Sequence, residues 1–401
     1  MRRVVVTGLG IASSIGVGAA EFAAALRAGR SGAHPITAFS TEGFEHTNAC
    51  EVLDYPAGQW IRELDPADLG RASRFAVGCA RMALADAGMP VAEARLLRSI
   101  IAVGTTNGES REVEVQVEHQ YATGTVAIDP GAARRHRSSR MSVDIARELG
   151  CTRTEAVTIP TACAAGNYAI GYGFEAVAAG EADLALCGGA DALGRNTFAG
   201  FYRLGTIAPE LCRPFDRNRK GILTGEGGAI LVLETLEAAV ARGAHIYAEL
   251  LGYGLSCDAS HPVAPERDSV ARCMTRAHAQ AGITPDQVDF ISAHGTGTKA
   301  NDLTEVAAIR QVFGAAPPPT VSIKSMLGHA MGAASALAAA ACALALSTGF
   351  IPPTINHTEP DPEIDIDCVP NTARTADLRI AQNNALAFGG NNSVLIMGRP
   401  R

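Results

Sequence analysis

At 401 residues, 47% hydrophobic and 19% charged, the chain can bury a large core and is long enough for roughly two to three domain-sized units. A formal charge of −7 argues against nucleic acid as the main partner, while local basic clusters leave room for an acidic protein to dock. Ten cysteines with no CxxC pair and no Cys/His ligand spacing argue against a disulfide scaffold or a structural metal site, and fit a reducing cytoplasm.

Val4-Val5-Val6-Thr7 reads as a strand that turns at Gly8 and Gly10 into a helix near Ala19–Ala28. Those glycines arrive too early for the apolar region of a signal peptide. Gly8-Leu9-Gly10 is not a dinucleotide fingerprint either, because Ser13 stands where the third glycine belongs. Residues 99–103 form a second strand, followed by the polar run Gly104-Thr105-Thr106-Asn107-Gly108-Glu109-Ser110. Residues 157–160 lead into Thr161-Ala162-Cys163 and a helix to about Ala179. That helix carries no charge before Glu175, and each of its glycines costs about 1 kcal/mol of helix propensity. Such a sequence belongs in the core, with only the first turn accessible. Residues 184–187 are a strand ended by Gly188-Gly189.

The second part repeats the theme. Residues 289–292 form a strand leading to His294, and 320–323 a strand entering Lys324 and His329. The uncharged, alanine-rich stretch 330–346 predicts a buried helix rather than a membrane span, which needs about 20 strongly apolar residues. A final strand, 394–397, follows the Gly389-Gly390 turn. Short β-branched runs alternating with alanine-rich helices give an α/β fold. A glycine lies three residues after Cys163 and another three after His329, each opening a small-residue helix. This similarity suggests two related α/β halves, 1–245 and 246–401, in one unit with no low-complexity linker.

Cys163 sits where a strand ends and a buried helix begins. Unpaired backbone N–H groups and the helix dipole there favour thiolate, the competent nucleophile. The other nine cysteines read as small buried residues. His294-Gly295-Thr296-Gly297-Thr298 places an imidazole at a sheet end with glycines beside it, and Lys324 and His329 flank another strand-to-helix turn. A single histidine is ordinarily a core or surface residue; two in this setting, one near a lysine, point to chemistry. Three isolated ligands without short spacing make a weak metal site. Ala387-Phe388-Gly389-Gly390-Asn391-Asn392 allows unusual backbone angles and a mobile Phe388, and also reads simply as a turn before the last strand.

In this order the motifs resemble those of the β-ketoacyl-carrier-protein synthases of type II fatty acid and polyketide systems. The resemblance covers nearly the whole chain. It runs from Val5-Val6-Thr7-Gly8-Leu9-Gly10 through Thr161-Ala162-Cys163, Arg213-Pro214-Phe215-Asp216, Gly225-Glu226-Gly227, His294-Gly295-Thr296, Lys324-Ser325-Met326 and Gly328-His329 to Phe388-Gly389-Gly390. It implies a thiolase-like fold with a layered α-β-α-β-α core and a two-step decarboxylative Claisen condensation. Cys163 would take an acyl group from a carrier protein. The enolate formed from malonyl-carrier protein would then attack it. The backbone N–H groups of Cys163 and Phe388 would form the oxyanion hole, and neutral His294 and His329, kept uncharged by Lys324, would stabilise the enolate. Phe388, Gly389 and Gly390 would form a gate, with Phe198 a second aromatic beside the pocket. Thr296 and Thr298 would contact the phosphopantetheine arm, and Asp302 and Glu305 would hold Lys324 or a helix end. Arg71, Arg74 and Arg203 would dock the acidic carrier protein; Arg134-Arg135-His136-Arg137 is also basic. No cofactor of the enzyme's own is implied, since phosphopantetheine arrives on the carrier.

Some residues depart from the housekeeping pattern. The polar run, with Thr106 and Asn107 as substrate contacts, would disfavour long saturated chains, because buried polar groups need partners. Ala387 and Asn391 replace the usual glycine and threonine of the gate, and alanine restricts the backbone. These departures favour a specialised polyketide or polyene system, with fatty-acid elongation the runner-up. A non-catalytic chain-length-factor-like subunit would lack Cys163, and a thiolase would carry a second cysteine near the C-terminus. The family pairs either with itself or with such a factor.

Overall fold

The ten-residue run Val4–Ser13, buried along its whole length, forms β1 at the middle of an eleven-stranded sheet. The computed structural model describes residues 2–125 and 127–400. The further strands are β2 (Ser99–Gly104), β3 (Thr154–Ile159), β4 (Leu184–Asp191), β5 (Gly227–Thr235), β6 (Ala248–Cys257), β7 (Phe290–Ser292), β8 (Thr320–Val321), β9 (Ile380–Ala385) and β10 (Asn391–Gly398), and a two-residue strand, Gly16–Val17, that pairs with β1 alone makes the eleventh. Their order across the sheet is β8-β7-β9-β10-β6-β1-β5-β4-β2-β3. In the first half β3, β2 and β4 run parallel, and β5 and β1 follow antiparallel. In the second half β8, β7 and β9 run parallel, and β10 and β6 follow antiparallel. The two halves are therefore the same five-stranded pattern used twice. They join through a short pairing of Val4–Val6 with residues 248–250.

The helices used below, among the described residues, are α1 (Arg71–Asp86), α2 (Arg140–Leu149), α3 (Ala165–Ala179), α4 (Arg195–Arg203), α5 (Arg267–Ala281), α6 (Lys299–Phe313) and α7 (Ala333–Thr348). α3 and α7 touch each other and strands of both halves, so they form a central layer between the two runs of strands. α1 and α2 cover the outer face of the first half, and α5, with α6 packed on it, that of the second. In α7 residues 333–346 are all buried, as expected for a helix that is apolar all round. No helix among the described residues is long and apolar enough to cross a membrane.

Two glycine pairs expected as turns lie inside strands. At Gly10 a Cβ would sit 1.7 Å from the carbonyl oxygen of Cys79 in α1, so glycine there lets a helix lie against the strand backbone. Gly188 and Gly189 likewise belong to β4, which runs on to Asp191. α3 also differs from expectation. Its first turn is buried, and the accessible residues Tyr168, Tyr172, Glu175 and Ala179 form one stripe beside β3. β3 has a single strand neighbour and is half-exposed. The nearby helix Ser110–Thr123 has no buried residue and exposes Val113, Val115, Val117 and Tyr121.

Candidate active site

Cys163 lies in a single 3₁₀ turn, Ala162–Ala164, between β3 and α3. Ala162 is held at φ +50°, a left-handed conformation that costs an L-residue about 1–2 kcal/mol. His294 follows β7 by two residues, and His329 lies between β8 and α7, two residues before Met331, which is also left-handed at φ +49°. Two strained turns thus carry reactive side chains into one place. Cys163, His294 and His329 line a single cavity of about 220 Å³ together with Thr296, Thr298 and Phe388. The two imidazole rings lie edge to face with centroids 5.4 Å apart.

Burial dominates the electrostatics. It pushes the Cys163 thiol up to about 11 against the opposing pull of Lys324, so the resting group is a neutral thiol. Burial of the sulfur thus works against the expected thiolate. The backbone N–H groups of Phe388 and Cys163 both favour charge on the sulfur, so two backbone donors converge on Sγ. Both histidines are driven well below the ordinary imidazole range by burial first and by Lys324 second. Neutral imidazoles were expected, with Lys324 as the cause; desolvation is the larger one. His329 Nδ1 accepts the N–H of Met331 at 3.1 Å, which leaves the proton on Nε2.

Lys324 Nζ donates to the His294 carbonyl at 2.6 Å. Glu305 accepts the N–H groups of His294 and Gly295, both at 2.8 Å, and Asp302 accepts those of Phe215 and Gly297. The two carboxylates therefore hold the 294–297 backbone rather than gripping Lys324 directly. Thr296 and Thr298 share a hydroxyl contact of 2.9 Å on the cavity wall. Gly389 and Gly390 have φ of +84° and +79°, and the Gly389 N–H donates to the Pro262 carbonyl, latching the Phe388 loop to the 261–265 segment.

Five residues lie elsewhere than expected. Phe198 is fully buried in an aromatic cluster with Phe39, Phe44 and Tyr202, behind the cavity; one turn later, Phe201 lines it and packs on Phe388 at 5.6 Å. Thr106 and Asn107 do not line it either, because their backbone N–H groups are tied to Asp191. Arg71 is held by the buried Glu226 at 2.8 Å, and Arg74 donates to the carbonyls of Pro66 and Leu69, so neither is a free surface cation. Arg203 is exposed, next to the cavity residue Leu204. The loop residues His261–Pro265 and Asn301 also line the cavity and carried no periodic signal.

Residues 1–239 match the model of the beta-ketoacyl synthase N-terminal domain, and residues 247–358 that of its C-terminal domain. Cys163 falls in the first span and His294, Lys324 and His329 in the second; the chain belongs to the β-ketoacyl synthase family, thiolase-like condensing enzymes of the acyltransferase class. Among solved structures, "The ishigamide ketosynthase/chain length factor" is 58% identical over the whole of both chains with a TM-score of 0.98. The tetracenomycin polyketide synthase ketoacyl synthase alpha subunit of Streptomyces glaucescens is 36% identical, covering 100% of this chain and 98% of the relative. The 3-oxoacyl-[acyl-carrier-protein] synthase 2 of Synechocystis sp. is also 36% identical, covering 98% and 97%.

Proposed function

We propose that this chain is the catalytic ketosynthase of a specialised type II polyketide system that elongates an unsaturated chain on acyl carrier protein. The convergence of Cys163, His294, His329 and the Phe388 loop on one cavity carries the chemistry. Sγ of Cys163 attacks the acyl-thioester carbonyl, the oxyanion takes hydrogen bonds from the N–H groups of Cys163 and Phe388, and the carbon–sulfur bond to pantetheine breaks as the Cys163 thiol proton passes to the departing pantetheine sulfur. Each such donor is worth about 10²–10³ in rate. Malonyl-carrier protein then loses CO₂. The enolate oxygen is held by His294 and by the Nε2–H of His329, and its carbon attacks the acyl-cysteine and expels Sγ. Full-length identity of 58% to a ketosynthase that is paired with a chain length factor, against 36% to a 3-oxoacyl-[acyl-carrier-protein] synthase 2, favours the specialised role over fatty-acid elongation. The test is intact-protein mass spectrometry with acyl-carrier proteins of graded length and unsaturation, followed by malonyl-carrier protein. Preference for saturated long chains would return the enzyme to fatty-acid elongation.

The ishigamide structure joins a ketosynthase to a chain length factor, and this chain leaves uncovered the open edge of β3, Tyr172 and the valines of the helix Ser110–Thr123. A chain-length-factor-like subunit is the proposed occupant. For the carrier protein, the candidate cations become Arg203, Arg134 and Arg137, all exposed and paired with no carboxylate among the described residues. Arg134 and Arg203 belong to short helices that both pack on the helix Ser110–Thr123. Arg203→Glu is expected to raise KM for the carrier about five- to tenfold with kcat unchanged, an effect that shrinks in high salt. A fall in kcat alone would remove Arg203 from the docking surface. The ten free cysteines suit a reducing cytoplasm.

The raised thiol pKa has a direct consequence. Below about 11 the thiolate fraction of Cys163 grows tenfold per pH unit, so alkylation by iodoacetamide should rise steadily from pH 7 to 9 without a plateau. Lys324→Met removes the charge that opposes the shift and should slow alkylation at every pH. A plateau below pH 8 would show that the thiolate already forms in the resting site.

A further inference from the structure

Asp191, the last residue of β4, is fully buried and pairs with no lysine, arginine or histidine among the described residues. Four donors hold it instead. Oδ1 accepts the Thr105 hydroxyl at 2.8 Å and the Asn107 N–H at 3.0 Å; Oδ2 accepts the Thr106 N–H at 2.8 Å and the Gly332 N–H at 2.6 Å. Burial pushes this carboxyl up to about 6, which still leaves it ionised at neutral pH. A buried anion without a counter-cation is expensive unless its hydrogen bonds are essential to the surrounding backbone.

That backbone is the turn after His329. Gly332 follows Met331, the left-handed residue whose N–H donates to His329 Nδ1. The Gly332 carbonyl accepts the N–H of Gly166 in α3, the helix that Cys163 opens. A Cβ at Gly332 would lie 2.7 Å from Asp191 Oδ2 and 2.6 Å from the Thr105 backbone, so glycine is what lets the carboxylate reach this peptide. The opposite side of His329 is already held, its N–H by the Leu223 carbonyl and its carbonyl by the Gly225 N–H. The one side left to secure is the strained turn.

We propose that Asp191 is a positioning residue for the condensation: by clamping Gly332 it holds the Met331 turn, whose N–H keeps His329 in the Nε2–H form aimed into the cavity. This rests on the reading of His329 as a donor to the enolate. Asp191 never meets the substrate, and its influence reaches the reaction through one peptide and one imidazole. The same carboxylate binds the 105–107 loop, so the polar run after β2 and the histidine turn share one anchor.

The two half-reactions separate this role from a general loss of structure. In the full chain with its partner subunit, acyl transfer to Cys163 is followed by intact mass, and decarboxylation of malonyl-carrier protein by CO₂ release. Asp191→Ala is expected to slow decarboxylation at least about tenfold with KM for malonyl-carrier within about twofold, the scale of a misplaced catalytic group. Acyl transfer should be unchanged or faster, since the Asp191 charge opposes thiolate formation at Cys163. Asp191→Asn keeps the shape and can turn its remaining oxygen toward Gly332, so a smaller loss in the same direction is expected and guards against misfolding of the alanine variant. Equal slowing of both half-reactions, or no change in either variant, overturns the proposal. His329→Ala run alongside tells the two readings apart: if it leaves decarboxylation intact, the enolate reading itself falls.

Discussion

Cys163→Ala is expected to abolish acyl transfer from carrier protein and reduce condensation by about 10⁴-fold or more, the scale seen when a nucleophile is removed from a covalent mechanism. Malonyl decarboxylation should survive within about tenfold, because the donors proposed to hold the enolate, His294 and His329, are untouched and no covalent bond to sulfur is required for CO₂ to leave. Cys163→Ser should behave like alanine in acyl transfer, since a hydroxyl in a site dry enough to lift a thiol to about 11 has no route to an alkoxide. Peptide mapping must accompany the mass measurement. Cys257 is exposed, whereas Cys163 is buried, so nonspecific acylation would appear at Cys257. Acyl label that persists in Cys163→Ala and is discharged by malonyl-carrier protein would move the nucleophile elsewhere.

Much of this candidate site is legible in the amino-acid sequence, for a definite reason. Cys163, His294, Lys324 and His329 stand at strand ends beside small residues, and a β-branched run followed by glycine or alanine marks such a turn locally. What could not be read were relations set by packing. Gly10 and Gly189 look like turn glycines, yet each sits inside a strand because another backbone lies against it. Phe198 and Phe201 share a helix only one turn apart, and nothing in their spacing says which one faces the cavity and which one the aromatic cluster. Arg71 looks like any surface cation until Glu226, 155 positions away, takes its guanidinium. Asp191 carried no motif at all; its four donors come from the 105–107 loop and from Gly332. The weight of burial on the Cys163 thiol could not be read for a related reason. A helix N-terminus favours charge locally, but the depth of the cavity decides the balance.

His329→Ala is expected to lower malonyl decarboxylation by about 10²–10³, the value of one preorganised donor to a developing oxyanion, while acyl transfer to Cys163 changes by less than about fivefold. The asymmetry follows from where the groups point. In the proposed mechanism the acyl step uses the N–H groups of Cys163 and Phe388, whereas the Nε2–H of His329, whose Nδ1 is taken by Met331, is assigned to the malonyl oxygen. His294→Ala should give a loss of similar size. The double variant should cost much less than the product of the two, because both donors serve one oxygen. The pH dependence provides an independent check. The imidazoles must stay neutral, and burial and then Lys324 hold their pKa well below 6.5, so decarboxylation should be flat from pH 6 to 8. Each histidine gains its proton more readily unfolded than folded, so its contribution to stability is present above about 6.5 and is lost as pH falls below that value. A decarboxylation rate that titrates near pH 6.5 would mean a charged imidazole takes part, and would reverse the role assigned to Lys324.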